Sequence, residues 1–167
     1  LGLLLLQYIL NNRKDIPANA KVITTIVSTP MIDVIAPARN VGVMKTLTGF
    51  KYIGEKIRQF ENNELDGTYL FGFEESYGYL IGTHARDKDA LVTSMIIAEM
   101  AAYYNSIGSS IYNELQKLYE EYGYYLEGIK SVTLKGKDGL EQMAALMADL
   151  RENVKDTLIG KKIEIKR

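Results

Sequence analysis

The stretch FGFEESYGYLIGTHARDKDALV, residues 71–92, leads from an apolar strand pattern into an apolar helix pattern. Between these ends lie two adjacent acids, a serine, the chain's only histidine and a run of alternating charges. A connection that only turned the chain could be much shorter. A long polar connection at the end of a strand is a common place for a ligand site. The stretch therefore indicates a strand, a functional loop and a helix in succession.

The composition indicates a well-folded domain that does not bind nucleic acid. Hydrophobic residues make up 47% of the 167 residues, and 20 basic residues are balanced by 21 acidic ones. A near-neutral chain offers no electrostatic footprint for nucleic acid. With no cysteine in the sequence, disulfides and thiolate metal sites are excluded, which suits the cytoplasm. The opening LGLLLLQYIL is too short to span a bilayer and lacks a basic leading region, so we expect neither a membrane anchor nor a signal peptide.

Strand and helix patterns alternate on both sides of the opening stretch. Runs of β-branched and apolar residues predict strands at 21–27, 42–47, 68–73 and 129–134. Helical spacing of apolar residues predicts helices at 3–12, 30–39, 48–60, 88–105, 110–122 and from Asp138 onward. The alternation predicts an α/β domain with helices on both faces of the sheet. A change of composition predicts a domain over 1–152 and a terminal strand or linker over 153–167.

Some details of the helices are predicted as well. The helix at 88–105 is apolar on most faces, so we expect it to be buried. Gly123 is expected to end the helix that precedes it. Asp138 and Glu141 have the spacing of a capping box, which would open the last helix.

Polar residues gather where two predicted strands end. In TLTGFK, Thr48 offers a hydroxyl and Gly49 permits close backbone approach, beside the free N–H groups of a helix start. Glu74 and Ser76 follow the third strand, and a carboxylate next to a hydroxyl can bind neighbouring sugar hydroxyls. Purely structural roles remain open for both segments. Thr48 would then cap its helix, and the acids would solvate a turn.

The segment ARDKDA carries charges of both signs at a helix start. Asp87 and Asp89 suit the positive end of the helix dipole, whereas Arg86 and Lys88 are locally unfavourable there. This pattern is typical either of a bound anion such as phosphate or of a solvated turn. A metal site is a weaker alternative, because Lys88 would oppose it. Its ligands would be Glu74, Glu75, Asp87 and Asp89.

His84 has the chemistry of a general acid or base, but no partner is visible in the sequence. We therefore expect it to pack in the loop or to contact a ligand. A Ser-His-Asp set, a thiolate nucleophile and a P-loop are missing from the sequence. A complete small phosphatase is accordingly the least favoured function.

Taken together, the motifs TLTGFKYIGEKI, FGFEESYGYLIG and ARDKDA resemble the third domain of the α-D-phosphohexomutases, in the bacterial phosphoglucomutase/phosphomannomutase branch. The resemblance covers nearly the whole chain. It implies a three-layer α/β/α sandwich around a mixed, mostly parallel four-stranded sheet. It also implies that the other domains of the same polypeptide supply a phosphoserine and Mg²⁺, and that glucose 1,6-bisphosphate is the intermediate.

By the same resemblance, the partner is a hexose phosphate, which is interconverted between its 1-phosphate and 6-phosphate. The implied substrate-binding residues are Thr48, Gly49, Glu74, Ser76 and Lys88, with Arg86 as a weaker candidate. The phosphoserine, metal and phosphate loops of the family are missing, so we expect this chain alone to hold no catalytic residue, bind no metal or cofactor, and be inactive.

Two further functions stay open. Phe73 stands where many glucose-type members have glycine, and GFEESYGY leans toward the phosphopentomutases, so the sugar could be glucose, mannose or a pentose. The acidic loop with Tyr77 and Tyr79 would also suit a free-standing protein-interaction module, since tyrosine is favoured at interfaces.

Overall fold

The computed structural model of the chain describes residues 1–128, 133–153, 157–158 and 161–162. It divides into two compact units, Leu1–Glu127 and Gly128–Arg167. In the first unit the helices are α1 (Gly2–Asn12), α2 (Ile32–Ala38), α3 (Phe50–Glu61), α4 (Ala90–Ser106) and α5 (Ile111–Tyr122). Its strands are β1 (Ala20–Thr25), β2 (Gly42–Thr46), β3 (Thr68–Glu74) and β4 (Gly78–Ile81).

The four strands form one mixed sheet in the order β2-β1-β3-β4. Strand β1 pairs in parallel with β2 and with β3, whereas β4 runs antiparallel to β3. The carboxyl ends of β1, β2 and β3 therefore meet at one edge of the sheet, where open α/β sheets bind ligands. The predicted three-layer α/β/α fold with a mostly parallel sheet is confirmed.

Both faces of the sheet are buried, which explains the continuous apolar and β-branched run of β1. Val22 belongs to the larger core cluster, which includes buried side chains of α1, α2, α4 and α5. Ile23, its neighbour, points into a second cluster on the opposite face, against α3. The helical stripe predicted at 48–60 forms this second cluster, through the buried side chains Phe50, Ile53, Ile57 and Phe60.

The fourth strand of the sheet differs from the prediction. Residues 78–81 were expected to belong to a long loop, but they form β4 and pair with Phe71–Glu74. Only residues 75–77 separate β3 from β4, so the turn is tight. Tyr77 takes a positive φ of 60°, a conformation that favours glycine or asparagine. Tyrosine stands at the turn position where glycine or asparagine would have signalled a hairpin, and the hairpin was therefore missed.

The predicted burial of the helix at 88–105 is wrong. Only Thr93, Met100 and Tyr104 of α4 are fully buried. Leu91 and Met95 lie on the outside of the unit and are 81% and 71% exposed. One face of α4 packs against the core, whereas the opposite face is exposed although it carries apolar side chains as well.

The structure differs from one expected helix cap and agrees with another. The residue before α3 is Gly49, with a φ of 113°, and no side chain caps the helix, so Thr48 is not a cap. The positive φ explains why glycine is needed at this position. Helix α5 does end at Gly123, with a φ of 94°, as predicted.

The second unit contains helix α6 (Gly136–Glu152) and a small hairpin of β5 (Thr157–Leu158) and β6 (Lys161–Lys162). Lys135 precedes α6 without a side-chain cap, so Asp138 lies inside the first turn and forms no capping box. The predicted strand at 129–134 lies mostly outside the described residues, since 129–132 are not among them. Within the described part of the chain, no helix is long and apolar enough to cross a membrane.

Candidate functional site

An open groove of about 490 Å³ lies at the edge of the sheet where β1, β2 and β3 end. Its volume falls within the range of small-molecule sites. Its lining comes from the start of α3, the β3–β4 turn and the segment before α4. We call it the Glu74 groove, and it is lined by Thr48, Gly49, Phe50, Lys51, Glu74, Glu75, Ser76, Asp87 and Lys88.

Glu74 is a buried carboxylate in this groove, with a side chain that is 3% exposed. Its Oε1 accepts a hydrogen bond of 2.7 Å from the Lys88 ammonium and another of 2.7 Å from the Ser76 hydroxyl. A buried charge is costly unless it is paired and hydrogen-bonded, and Lys88 provides both. Neither of these two contacts uses Oε2.

Lys88 reaches this carboxylate from the segment that precedes α4, and its side chain is 48% exposed. Its hydrogen bond with Glu74 raises the pKa of the ammonium above the ordinary lysine value. The group is thus firmly cationic at neutral pH and has spare N–H donors for a ligand oxygen.

Glu75 is a second carboxylate of the groove. From the sequence it was named only as a ligand of the weaker metal alternative, and it was not among the predicted substrate-binding residues. Its Oε2 accepts a 2.6 Å hydrogen bond from Thr25, whose side chain is buried at the carboxyl end of β1. The Thr25 hydroxyl also lies 3.0 Å from that of Ser28. The end of β1 therefore fixes Glu75. The sequence signal that could have identified Glu75 as a groove residue was its position directly beside Glu74.

The start of α3 forms the opposite wall. Thr48 is exposed, and Gly49 turns the chain with its positive φ so that backbone, without a side chain, faces the groove. Lys51 adds a second cation, whose ammonium lies 4.9 Å from the centre of the Tyr52 ring. With three carboxylates and two ammonium groups, the groove is net negative. Such a site suits neutral hydroxyl donors better than a bare phosphate.

Arg86 is the one predicted binding residue that does not line the groove. Its guanidinium pairs with Glu61 at the end of α3 and donates to the carbonyl oxygens of Thr83 and Ala85, at 2.7 and 3.1 Å. His84 also has a partner, since its Nε2 lies 2.7 Å from the carboxylate of Asp89. Packing in the loop, which was one of the two roles expected for His84, is what its geometry shows.

Asp89 caps α4 by accepting from the N–H groups of Leu91 and Val92, at 2.8 and 3.2 Å. The hydrogen bond with His84, followed by these backbone bonds, holds the pKa of Asp89 below its ordinary value. The carboxylate of Asp89 is thus bound to His84 and to the start of α4, and not to Glu74. Among the residues that the structure describes, no three His, Asp or Glu side chains gather as a metal site would require.

Comparison with known proteins identifies relatives over the first unit and beyond. The family model for phosphoglucomutase/phosphomannomutase, alpha/beta/alpha domain III, matches residues 1–122. A phosphoglucomutase of Staphylococcus haemolyticus is 34% identical over 163 residues, which are 98% of this chain and 29% of that protein. A phosphoglucomutase of Staphylococcus aureus is 32% identical over 164 residues, again 98% of this chain and 29% of the relative. The chain therefore spans less than a third of the length of these relatives.

A solved structure shares the fold. A crystal structure from Thermus thermophilus that is assigned as a phosphomannomutase superposes with a TM-score of 0.59 and 20% sequence identity. The superposition covers 73% of this chain and 25% of the other. At this identity the likeness concerns the fold alone.

Proposed function

Because this chain belongs to the phosphoglucomutase/phosphomannomutase family, as its alpha/beta/alpha domain III, we propose that the Glu74 groove recognises the sugar of a hexose phosphate. The match over residues 1–122 confirms the family resemblance of the sequence. The observation that carries the proposal is the convergence of Glu74, Ser76 and Lys88 in one groove at the carboxyl edge of the sheet.

In this proposal the residues have distinct roles. Oε2 of Glu74 accepts from one sugar hydroxyl, and the Ser76 hydroxyl binds its neighbour. Lys88 donates to a sugar or phosphate oxygen, while Thr48 and Gly49 bind from the opposite wall. Each charge-assisted hydrogen bond contributes about 1.5–3 kcal/mol. Because the groove is net negative, the phosphate is bound mainly by other domains of the polypeptide.

The reaction belongs to the whole protein in this proposal. A phosphoserine in another domain exchanges a phosphoryl group with the sugar phosphate, a bisphosphate forms, and the second phosphate is returned. When bound, Mg²⁺ supplies charge stabilisation for that transfer. The described residues of this chain do not fit a metal ion, because Glu74 is paired with Lys88 and Asp89 caps α4. The contribution of this chain is to hold and orient the sugar in the cytoplasmic enzyme.

An NMR titration tests the binding role directly. Glucose 1-phosphate is added to the isotope-labelled chain, with inorganic phosphate as the ligand control. A few hydrogen bonds on an open surface predict millimolar binding, about −4 kcal/mol. Backbone amide shifts are expected at Thr48, Glu74–Ser76 and Lys88, and they are expected to disappear in Glu74→Gln.

The matched control is Glu55→Gln, which removes an exposed carboxylate of α3 outside the groove. Binding that survives Glu74→Gln, or that is equal for inorganic phosphate, would contradict the proposal. Mannose and ribose phosphates in the same titration rank the sugars and decide between hexose and pentose recognition. In a coupled assay, the chain alone is expected to show no conversion of glucose 1-phosphate.

A further inference from the structure

The segment that carries Lys88 lies directly on α3. We call residues 82–89, between β4 and α4, the lysine segment. At Gly54, in the middle of α3, an added Cβ would lie well under 3.0 Å from the carbonyl oxygen of Arg86. Real Cβ atoms essentially never come that close to backbone. Glycine at 54 therefore allows the backbone of the lysine segment to rest on the helix.

The side chain of Arg86 provides a second contact between the lysine segment and α3. Its guanidinium crosses to Glu61 in the last turn of α3 and binds the carbonyl oxygens of Thr83 and Ala85 within its own segment. These contacts span α3 from its middle to its end. An ion pair of two partly exposed side chains contributes little to stability by itself, so its value lies in fixing position.

Lys88 follows Arg86 by two residues and reaches across the groove to Glu74. The path of its side chain is narrow, because a Cβ at Gly78 would lie 2.9 Å from the lysine Cδ and 2.7 Å from Oε1 of Glu74. The end of the segment is tied to β4, since the N–H of Asp89 donates to the carbonyl of Tyr79 at 2.9 Å. Lys88 therefore lies between two anchored points of the segment, Arg86 on α3 and Asp89 on β4.

We propose that Gly54, Glu61 and Arg86 form a clasp that positions the Lys88 ammonium on Glu74. None of these three residues lines the groove, so they act as positioning residues. The positioning of Lys88 stands on the geometry alone. Its consequence for sugar binding rests on the proposed function.

The test follows the side-chain NMR signals of Lys88, assigned with the Lys88→Met variant. In Glu74→Gln the Cε and Nζ shifts of Lys88 define the unpaired state. Glu61→Gln, which keeps shape and removes only the charge, is expected to move these signals at least halfway to that state. Gly54→Ala is expected to move them further, and Glu61→Gln keeps the test decisive if Gly54→Ala fails to fold.

The matched control is Asp33→Asn, which breaks the Lys45–Asp33 pair of similar exposure away from the groove. It should leave the Lys88 signals in place. Unchanged Lys88 signals in folded Glu61→Gln and Gly54→Ala would overturn the clasp. If Arg86 only stabilised the fold, the variants would have a lower melting temperature but unchanged Lys88 signals. That result would also count against the clasp.

Glucose 1-phosphate binding is measured on the same samples. The dissociation constant is expected to rise at least threefold in Glu61→Gln and to stay constant in Asp33→Asn. If Lys88 moves and the dissociation constant does not, the effect of the clasp on the groove is refuted. If the wild-type chain binds no sugar phosphate, the proposed function fails, while the shift of the Lys88 signals still decides the clasp.

Discussion

Glu74 receives both of its hydrogen bonds on a single carboxylate oxygen, and this places the whole charge balance of the groove on Lys88. The arrangement is asymmetric, because the carboxylate is buried and the ammonium is half exposed. Removing the lysine leaves a buried charge without compensation, whereas removing the acid leaves a cation that water can solvate. The two substitutions should therefore differ in their effect on stability.

Lys88→Met is expected to lower the free energy of unfolding by about 1–2 kcal/mol. This is less than the cost of breaking a fully buried pair, since Lys88 is open to solvent. Urea unfolding of the single variants and of the double variant Glu74→Gln/Lys88→Met measures the coupling. The double variant should be more stable than Lys88→Met alone, and additive losses would argue against the ion pair.

The same pair predicts a dependence on alkaline pH. The hydrogen bond with Glu74 raises the pKa of Lys88 in the folded chain. Its contribution is therefore complete below the ordinary pKa of lysine and is lost as the pH rises through the raised value. Thermal melts from pH 8 to 12 should show the stability difference between wild type and Lys88→Met shrinking at the alkaline end. A constant difference would be inconsistent with the pairing.

At Tyr77, in contrast to Lys88, a substitution is expected to stabilise the chain. It holds a φ of 60° at the tip of the β3–β4 hairpin while its side chain is 86% exposed. A left-handed conformation costs a residue with a Cβ about 1–2 kcal/mol, and glycine adds about 0.5–1 kcal/mol of unfolded-state entropy. Tyr77→Gly should thus stabilise the chain by up to about 1 kcal/mol in urea unfolding. Tyr77→Ala, which keeps the strain, is the control and should gain nothing.

At the scale of the elements, the start of α4 depends on one side chain. Asp89 accepts from two backbone N–H groups and from His84, whose hydrogen bond lowers its pKa. Its charge therefore contributes above the ordinary pKa of aspartate, and the contribution is lost as the pH falls through the lowered value. The melting temperature of Asp89→Asn, which still caps, should lie below that of wild type at pH 6 and approach it in acid, below the ordinary pKa of aspartate.

Asp89→Ala loses the cap as well as the charge, so its deficit should persist at every pH. If the gap between wild type and Asp89→Asn did not close in acid, the charge of Asp89 would not be what holds the start of the helix. His84→Gln serves as a check on the partner, because it should reduce the same gap at neutral pH.

Some of the helices and strands could be predicted from the sequence alone, and others could not. Strand β1 and helix α3 were predictable, because burial on both faces leaves a continuous apolar run and burial on one face leaves a stripe. Strand β4 was not, because a tyrosine occupies the position where the turn would be signalled by glycine. The burial of α4 was misjudged since hydropathy does not tell which of two apolar faces finds a partner. Leu91 and Met95 stay outside.

The candidate site divides in the same way. Glu74, Ser76 and Thr48 follow the ends of strands, and parallel strands bring their ends together, so their convergence was foreseeable. Arg86 and Lys88 are two residues apart in one charged segment, and the charge pattern by itself does not separate their roles. Only the close approach of Arg86 to Gly54 and its pair with Glu61 turn it away from the groove. A tertiary contact of that kind has no local sequence signal.

At the scale of the whole molecule, the sheet, both core clusters and the Glu74 groove all belong to the unit Leu1–Glu127. Helix α5 is part of that unit, because Leu118 is buried in the larger cluster and Leu115 packs against it. A fully buried leucine contributes about 1.5–3 kcal/mol. The described residues of both clusters and of the groove thus all lie before Gly128.

A chain ended after Glu127 is expected to fold and to keep the groove. Its backbone amide spectrum should superpose on that of residues 1–127 in the full chain, and its affinity for glucose 1-phosphate should be unchanged within twofold. A chain ended after Ser110 is the control, because it lacks α5, exposes the cluster around Leu118 and should lose cooperative unfolding. If the chain ended after Glu127 gave the collapsed spectrum of an unfolded protein, residues after Glu127 would be needed to complete the core. The boundary of the folding unit would then lie further along the chain.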